Sequence, residues 1–182
     1  YDENLYNPAD PTPAFLYRNS QGRKKSDEIT SLRNDILVFE SEPLDTHMIV
    51  LGPLTAKLFA SSSNVDTDWF INFYAVNEKN EYMPLMHGCI RARFRNSITE
   101  PEFLEENKVY EYEIDLWQIG IKFDKGWKIR VEISSADFPQ YSRNLNTGKN
   151  NEVESDFEIA TQRIYHSKKY PSRIILPIIT NN

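Results

Sequence analysis

Chemistry in this chain would have to come from a small set of side chains. A serine nucleophile on a sharp strand-to-helix elbow reads as G-x-S-x-G, and none of the six glycines stands in that pattern. Three histidines could serve as a base: His47, His87 and His166. Their settings are a strand start, a turn before Gly88 and the end of ATQRIYH, which predict turn and surface positions rather than a triad. No two of them are close enough in sequence to form a local zinc-ligand pair. The single cysteine, Cys89, excludes an internal disulfide and a cysteine-rich metal site. The residues thus predict no catalytic group, no metal and no cofactor.

Four groups of side chains still ask for an explanation. Asp66 and Asp68 in VDTDW fall on one face if the strand has begun. Such oxygen pairs hold calcium when several more oxygens join them; the simpler reading is turn chemistry, with carboxylates accepting backbone N–H groups. Arg91, Arg93 and Arg95 in GCIRARFRNS alternate with apolar residues and predict a stripe of guanidinium groups on one face. The stripe is read as solvated, as ion-paired with Glu111, Glu113 and Asp115, or as docked on a partner domain, since cross-strand pairs alone contribute only ~0.2–1 kcal/mol each. Trp69, Trp117 and Trp127 could form a sugar platform, but the register of Trp127 with Ile129, Val131 and Ile133 predicts core or domain-contact roles. Asp137 and Phe138, in SSADFP, follow that strand as a junction or docking loop.

The elements that must position these residues are strands. DILVFESEPL is an apolar run closed by Pro43, and HMIVLGPLTAKLFASSS carries a Gly52-Pro53 interruption that predicts a bend or bulge. TDWFINFYAVN, GCIRARFRNS, VYEYEIDLWQI and WKIRVEI alternate with period two, the mark of a strand with one buried face. SRIILPII closes the series. TEPEFLEENKV predicts a helical turn or two, and RNLNTGKNNEVES is a long polar loop, a candidate for function. Seven or eight short strands separated by turns predict an all-β antiparallel sandwich of jelly-roll type. Residues 1–34 differ: the prolines of YNPADPTPAF favour an extended path, and the basic RNSQGRKKSDE has no periodicity. They predict an arm leading from another domain, with the sandwich at 35–182.

The 182 residues suit one domain that buries roughly two-thirds of its unfolded surface. A net charge of −6 argues against nucleic acid as a partner, and no apolar run nears the ~18 residues of a membrane helix. One cysteine fits a reducing compartment, and so leans toward the cytoplasm. The first residue is Tyr1, which suggests a piece of a longer chain.

Taken in order, these segments resemble the C-terminal β-sandwich of the X-Pro dipeptidyl-peptidase and cocaine-esterase-like serine hydrolases. YNPADPTPAF is similar to the arm that leaves the catalytic domain; RNDILVFESEPL, DTDWFINFYAV, LMHGCIRARFRNS, FDKGWKIRVEISSADFPQYSRNLNTG and ATQRIYHSKKYPSRIILPI follow in family order. At Gly126-Trp127-Lys128 the family usually has Gly-His-Arg, so an apolar contact is expected where the family makes a polar one. The resemblance implies a galactose-binding-domain-like jelly roll without catalytic residues. Its expected partner is an α/β-hydrolase catalytic domain of the same protein, and a homo-oligomer is possible within the family. The interface candidates are Arg91, Arg93, Arg95, Trp127, Asp137 and Phe138. The rival reading is a free-standing carbohydrate- or ligand-binding sandwich.

Overall fold

The computed structural model describes residues 1–20 and 29–179. Most of the basic stretch that the sequence left without periodicity, residues 21–28, lies outside them. Among the described residues the elements in chain order are β1 (Asp2–Tyr6), α1 (Phe15–Ser20), β2 (Leu37–Glu40), β3 (Met48–Ser62), β4 (Asp68–Val76), β5 (Tyr82–Arg91), the 3-10 turn Ala92–Phe94, β6 (Tyr110–Phe123), β7 (Lys128–Ser134), β8 (Ala160–Tyr165), β9 (Arg173–Ile175) and β10 (Ile178–Ile179). They form two antiparallel sheets packed as a sandwich. The larger is built on β3, which carries β6 on one side and β8, β9 and β10 on the other, with β1 outside β8. The smaller runs β2-β7-β4-β5.

The core lies between the sheets. Val50, Leu54, Ala56 and Leu58 of β3 and Tyr112, Ile114 and Leu116 of β6 meet Trp69, Ile71 and Phe73 of β4 and Ile133 of β7. The period-two pattern put these residues on one face, and burial of that face drives the packing. Gly88 of β5 lies tight against β6 of the other sheet: a Cβ there would collide with the Asp115 carbonyl and the Leu116 side chain.

The Gly52-Pro53 interruption is a bulge within one long strand. The pairing of β3 with β6 shifts between Pro53 and Thr55, so that Leu116 and Trp117 together face Leu54. Trp117 absorbs the extra residue at φ 67°. The inward face of β6 accordingly changes from even to odd positions, from Tyr112, Ile114 and Leu116 to Phe123.

Four local expectations are corrected. GCIRARFRNS is not one strand, because β5 ends at Arg91 and Ala92–Phe94 turns as a 3-10 helix. TEPEFLEENKV forms no helix: the Glu102 and Leu104 N–H groups are taken by the carbonyls of Arg93 and Val65, at 2.7 and 2.8 Å. His87 lies inside β5 opposite Asn72, not in a turn. Strands β4 and β7 do not have one wet face, for every residue of β4 is buried, as are Arg130 and Glu132 of β7.

Candidate functional site

Residues 1–20 explain the second buried face. Strand β1 adds to the larger sheet beside β8, from Asp2 opposite Ile164 to Tyr6 opposite Ala160. The chain then crosses to the outer face of the smaller sheet. Thr12 and Ala14 bracket Phe138, the Phe138 N–H donating to Thr12 O at 3.0 Å and the Ala14 N–H to Phe138 O at 2.8 Å. The Phe15 N–H donates to the Asp137 carboxylate at the start of α1, and the Phe15 ring stacks on His87 at 5.3 Å. Asp35 closes the arm by accepting from Thr12 Oγ1 at 2.6 Å and from Arg33 Nε at 2.6 Å, while its carbonyl accepts from Asn4.

Under α1 sits a buried ionic cluster. Arg18 has no exposed surface, and its Nη1 donates to Glu132 Oε2 and to Thr30 Oγ1, each at 2.9 Å. Glu132 Oε2 also accepts from Tyr74 OH at 2.9 Å, and Oε1 accepts from Arg130 at 2.8 and 3.1 Å. Burial works most strongly against the charge of Arg18, but Glu132, Tyr74 and Asp137 together outweigh it and raise the guanidinium above its ordinary value. Arg130 lies over the Tyr82 ring at 4.4 Å and reaches Glu40 at 3.2 Å. Sequence reasoning missed Arg18 and Glu132 as partners, since 114 residues separate them and no local pattern joins them.

The second cluster joins the aspartate pair to the arginines at one end of the sandwich. Asp68 accepts from Arg91 Nε at 2.8 Å and Nη2 at 3.0 Å. Asp66 accepts from the backbone and the Nε of Arg93, at 3.1 and 2.8 Å. Asn144 spans both carboxylates, donating to Asp66 at 2.7 Å and to Asp68 at 2.9 Å, and its carbonyl accepts from Tyr6 OH at 3.0 Å. Burial raises the Asp68 carboxyl above its ordinary value, opposed by Arg91 and Asn144. The bond to Asp68 in turn raises the Arg91 guanidinium. Asn144 belongs to the long polar loop singled out from the sequence, and its role here is to hold that loop against the sheet.

The six interface candidates do not form one patch. Arg91 and Arg93 turn inward to the aspartates, and Arg95 pairs with Glu102 at 3.0 Å over the Tyr110 ring. None meets Glu111, Glu113 or Asp115; the cation beside Glu111 and Glu113 is Lys57, at 3.5 and 3.2 Å. Trp127 precedes β7 at the opposite end of the smaller sheet and packs edge-on against Phe123, an apolar contact as expected. Asp137 is buried as the anchor of α1, and Phe138 is exposed beneath the Arg143 guanidinium. Trp69 is a core residue, and only Trp117 is strongly exposed, so the tryptophans make no joint platform. Among the described residues no group of three or more potential ligands could hold a metal ion, and His47 and His166 are remote from both clusters, His166 pairing with Asp2 at 2.9 Å.

The arrangement is thus a sandwich tied together by internal polar knots. Comparison with known proteins defines its class. Residues 1–175 match the family described as the X-Pro dipeptidyl-peptidase C-terminal non-catalytic domain, and the chain belongs to that family. It is 35% identical over 184 residues to a cocaine esterase of Rhodococcus sp. (strain MB1 Bresler), covering 98% of this chain and 32% of that protein. An aminopeptidase from a marine sediment Thaumarchaeota archaeon superposes with TM-score 0.86 at 30% identity, covering 98% of this chain and 33% of its own. An alpha-amino acid ester hydrolase gives TM-score 0.86 at 28% identity, with 98% and 32% covered. The chain therefore spans about a third of the length of these relatives.

Proposed function

We propose that this sandwich is the accessory domain of a serine hydrolase. Its partner is an α/β-hydrolase domain that carries the catalytic serine, aspartate and histidine, and the sandwich packs on that domain and helps to shape its active-site cleft and its assembly. The carrying observation is the family match over residues 1–175. The relatives' names, an esterase, an aminopeptidase and an amino acid ester hydrolase, support acyl transfer from an ester or amide as the reaction of the whole protein, and the family's description adds X-Pro peptides to the candidate substrates.

The docking face is read from the edge where the arm meets SSADFP. Leu16, Phe138 and Tyr141 are 59, 42 and 37% exposed. The polar groups around them are turned inward: Asp137 Oδ1 accepts from the Phe15 N–H and Arg143 donates to the Pro8 carbonyl. Arg91 and Arg93 act on docking indirectly, by holding the end of the sheet and the Asn144 loop in shape.

The intact mass and N-terminal sequence of the natural product test this reading. The expected species is about three times the length of this chain, as its 32% share of the esterase requires, with a G-x-S-x-G segment upstream and turnover of an activated ester. A stable natural species of 182 residues would overturn it.

A further inference from the structure

Protein interiors are packed without voids much larger than a water molecule, yet this sandwich has an apolar cleft of about 230 Å³ between its sheets. It opens where β8 leaves the edge of β3 and β9 takes over: Phe59 pairs with Tyr165 of β8, and Lys57 with Arg173 of β9. The intervening segment loops away, and Ser172 bridges the break, accepting from the Phe59 N–H at 2.9 Å and donating to the Tyr165 carbonyl. The backbone is thereby satisfied, but among the described residues no side chain fills the space behind it. Leu58, Ile71, Ile133 and Ile164 form the floor, with Phe39 of β2 and Ile174 of β9 flanking it as partly buried residues.

We infer that this cleft is a binding site for a small, largely hydrocarbon guest, an aryl or short alkyl group of roughly six to ten carbons carrying at most one polar atom. Size supports this, since an apolar cavity of about 150 Å³ lined by similar side chains stays dry and takes up benzene. Polarity supports it as well. The Ser172 hydroxyl is committed to the backbone, and Lys57 and Arg173 send their cations elsewhere, to Glu111 and Glu113 and to the Pro171 carbonyl. That leaves Nδ1 of His166, whose Nε2 is taken by Asp2, as the rim group a guest's single polar atom would meet. A carboxylate-rich ligand or a sugar would find its polar groups unpaired against isoleucine. The inference does not depend on the identity of the catalytic partner, because the cleft belongs wholly to the sandwich.

The test is an isoleucine δ1-methyl spectrum of the full natural protein containing this sequence, titrated with toluene. Saturable shifts are expected at Ile71, Ile133, Ile164 and Ile174, with Ile98 and Ile121, which do not line the cleft, unmoved. Ala56→Leu, which projects into the cleft from β3, should weaken toluene at least tenfold while the remaining methyl signals hold their positions. Should that variant fail to fold, Ile174→Phe at the partly buried flank provides the same test. Unmoved methyl signals at saturating toluene, or undiminished shifts in a folded, cleft-filled variant, would overturn the assignment.

Discussion

Glu113 on the larger sheet and Glu132 on the smaller one occupy comparable positions, each on the outward side of a strand that alternates apolar and charged residues. Water reaches only the first: the side chain of Glu113 is 67% exposed and that of Glu132 is 3% exposed. Glu113 meets a lysine across the strand, whereas Glu132 is enclosed by Arg18, Arg130 and Tyr74. Period two in a sequence tells which residues share a side of a strand. It does not tell which side is wet, because that depends on what a distant segment lays over the sheet. Here the distant segment is the arm, and its Arg18, together with Arg130 of the strand itself, supplies the charge that balances a carboxylate buried under a helix.

Removing one partner from each setting tests the contrast most directly. Glu132→Ala strands two arginines in the interior and should cost about 3–5 kcal/mol, read as a lowered urea midpoint. Glu113→Ala should cost under ~1 kcal/mol, since it removes only a solvated pair. Equal losses would mean that the arm leaves the smaller sheet in solution and that both carboxylates are wet.

The arginine–aspartate knot extends the comparison to the end of the smaller sheet. Arg93→Glu places a second negative charge against fully buried Asp66, with an expected loss near 3 kcal/mol. That loss would appear in unfolding of the sandwich before any binding assay is run. A variant with unchanged stability but weakened docking would instead make Arg93 a contact residue of the partner surface.

Gly88→Ala probes the seam between the sheets. Its Cβ would press on the end of the Leu116 side chain and, closer still, on the Asp115 backbone, which cannot yield as a flexible side chain would, and overpacking of this kind costs about 1–3 kcal/mol. The same substitution at Gly120 should cost less, for the nearest obstacle there is the end of the Leu51 side chain at 3.3 Å. If the two changes cost the same, the sheets are separable at β5.

These contrasts show how far the sequence could be read. The inner faces were legible, because Trp69, Ile71 and Phe73 or Tyr112, Ile114 and Leu116 repeat with the period of a strand. The Gly52-Pro53 interruption was legible as an irregularity, though not the answering Trp117 at positive φ, because nothing local distinguishes a tryptophan that will absorb a bulge. The alternation in GCIRARFRNS runs past the true end of β5, where the chain turns, so Arg91 and Arg93 meet Asp68 and Asp66 rather than the anions of β6. Arg18 and Glu132 could not be joined at all: the arm's composition announces polarity and extension, and only the folded path of the chain brings its arginine onto β7.

Asp137 offers the finest test of the covered face, through pH. Its carboxyl is raised above the ordinary value, chiefly by burial, while the Phe15 N–H, His87 and Arg18 pull the other way. A raised carboxyl binds its proton more readily in the folded than in the unfolded chain, so within the titration window the folded state holds more protons. Stability contributed by this group is therefore complete below the unfolded value, about 3.9, and is lost as pH rises through the folded one. Asp137→Asn keeps an oxygen for the Phe15 N–H and cannot ionise. The difference in unfolding free energy, natural chain minus variant, should thus fall as pH is raised from about 4, with a total change smaller than any effect above. A difference that is flat across this range would show that water already solvates Asp137, and that α1 covers the smaller sheet less tightly than Arg18 and Glu132 imply.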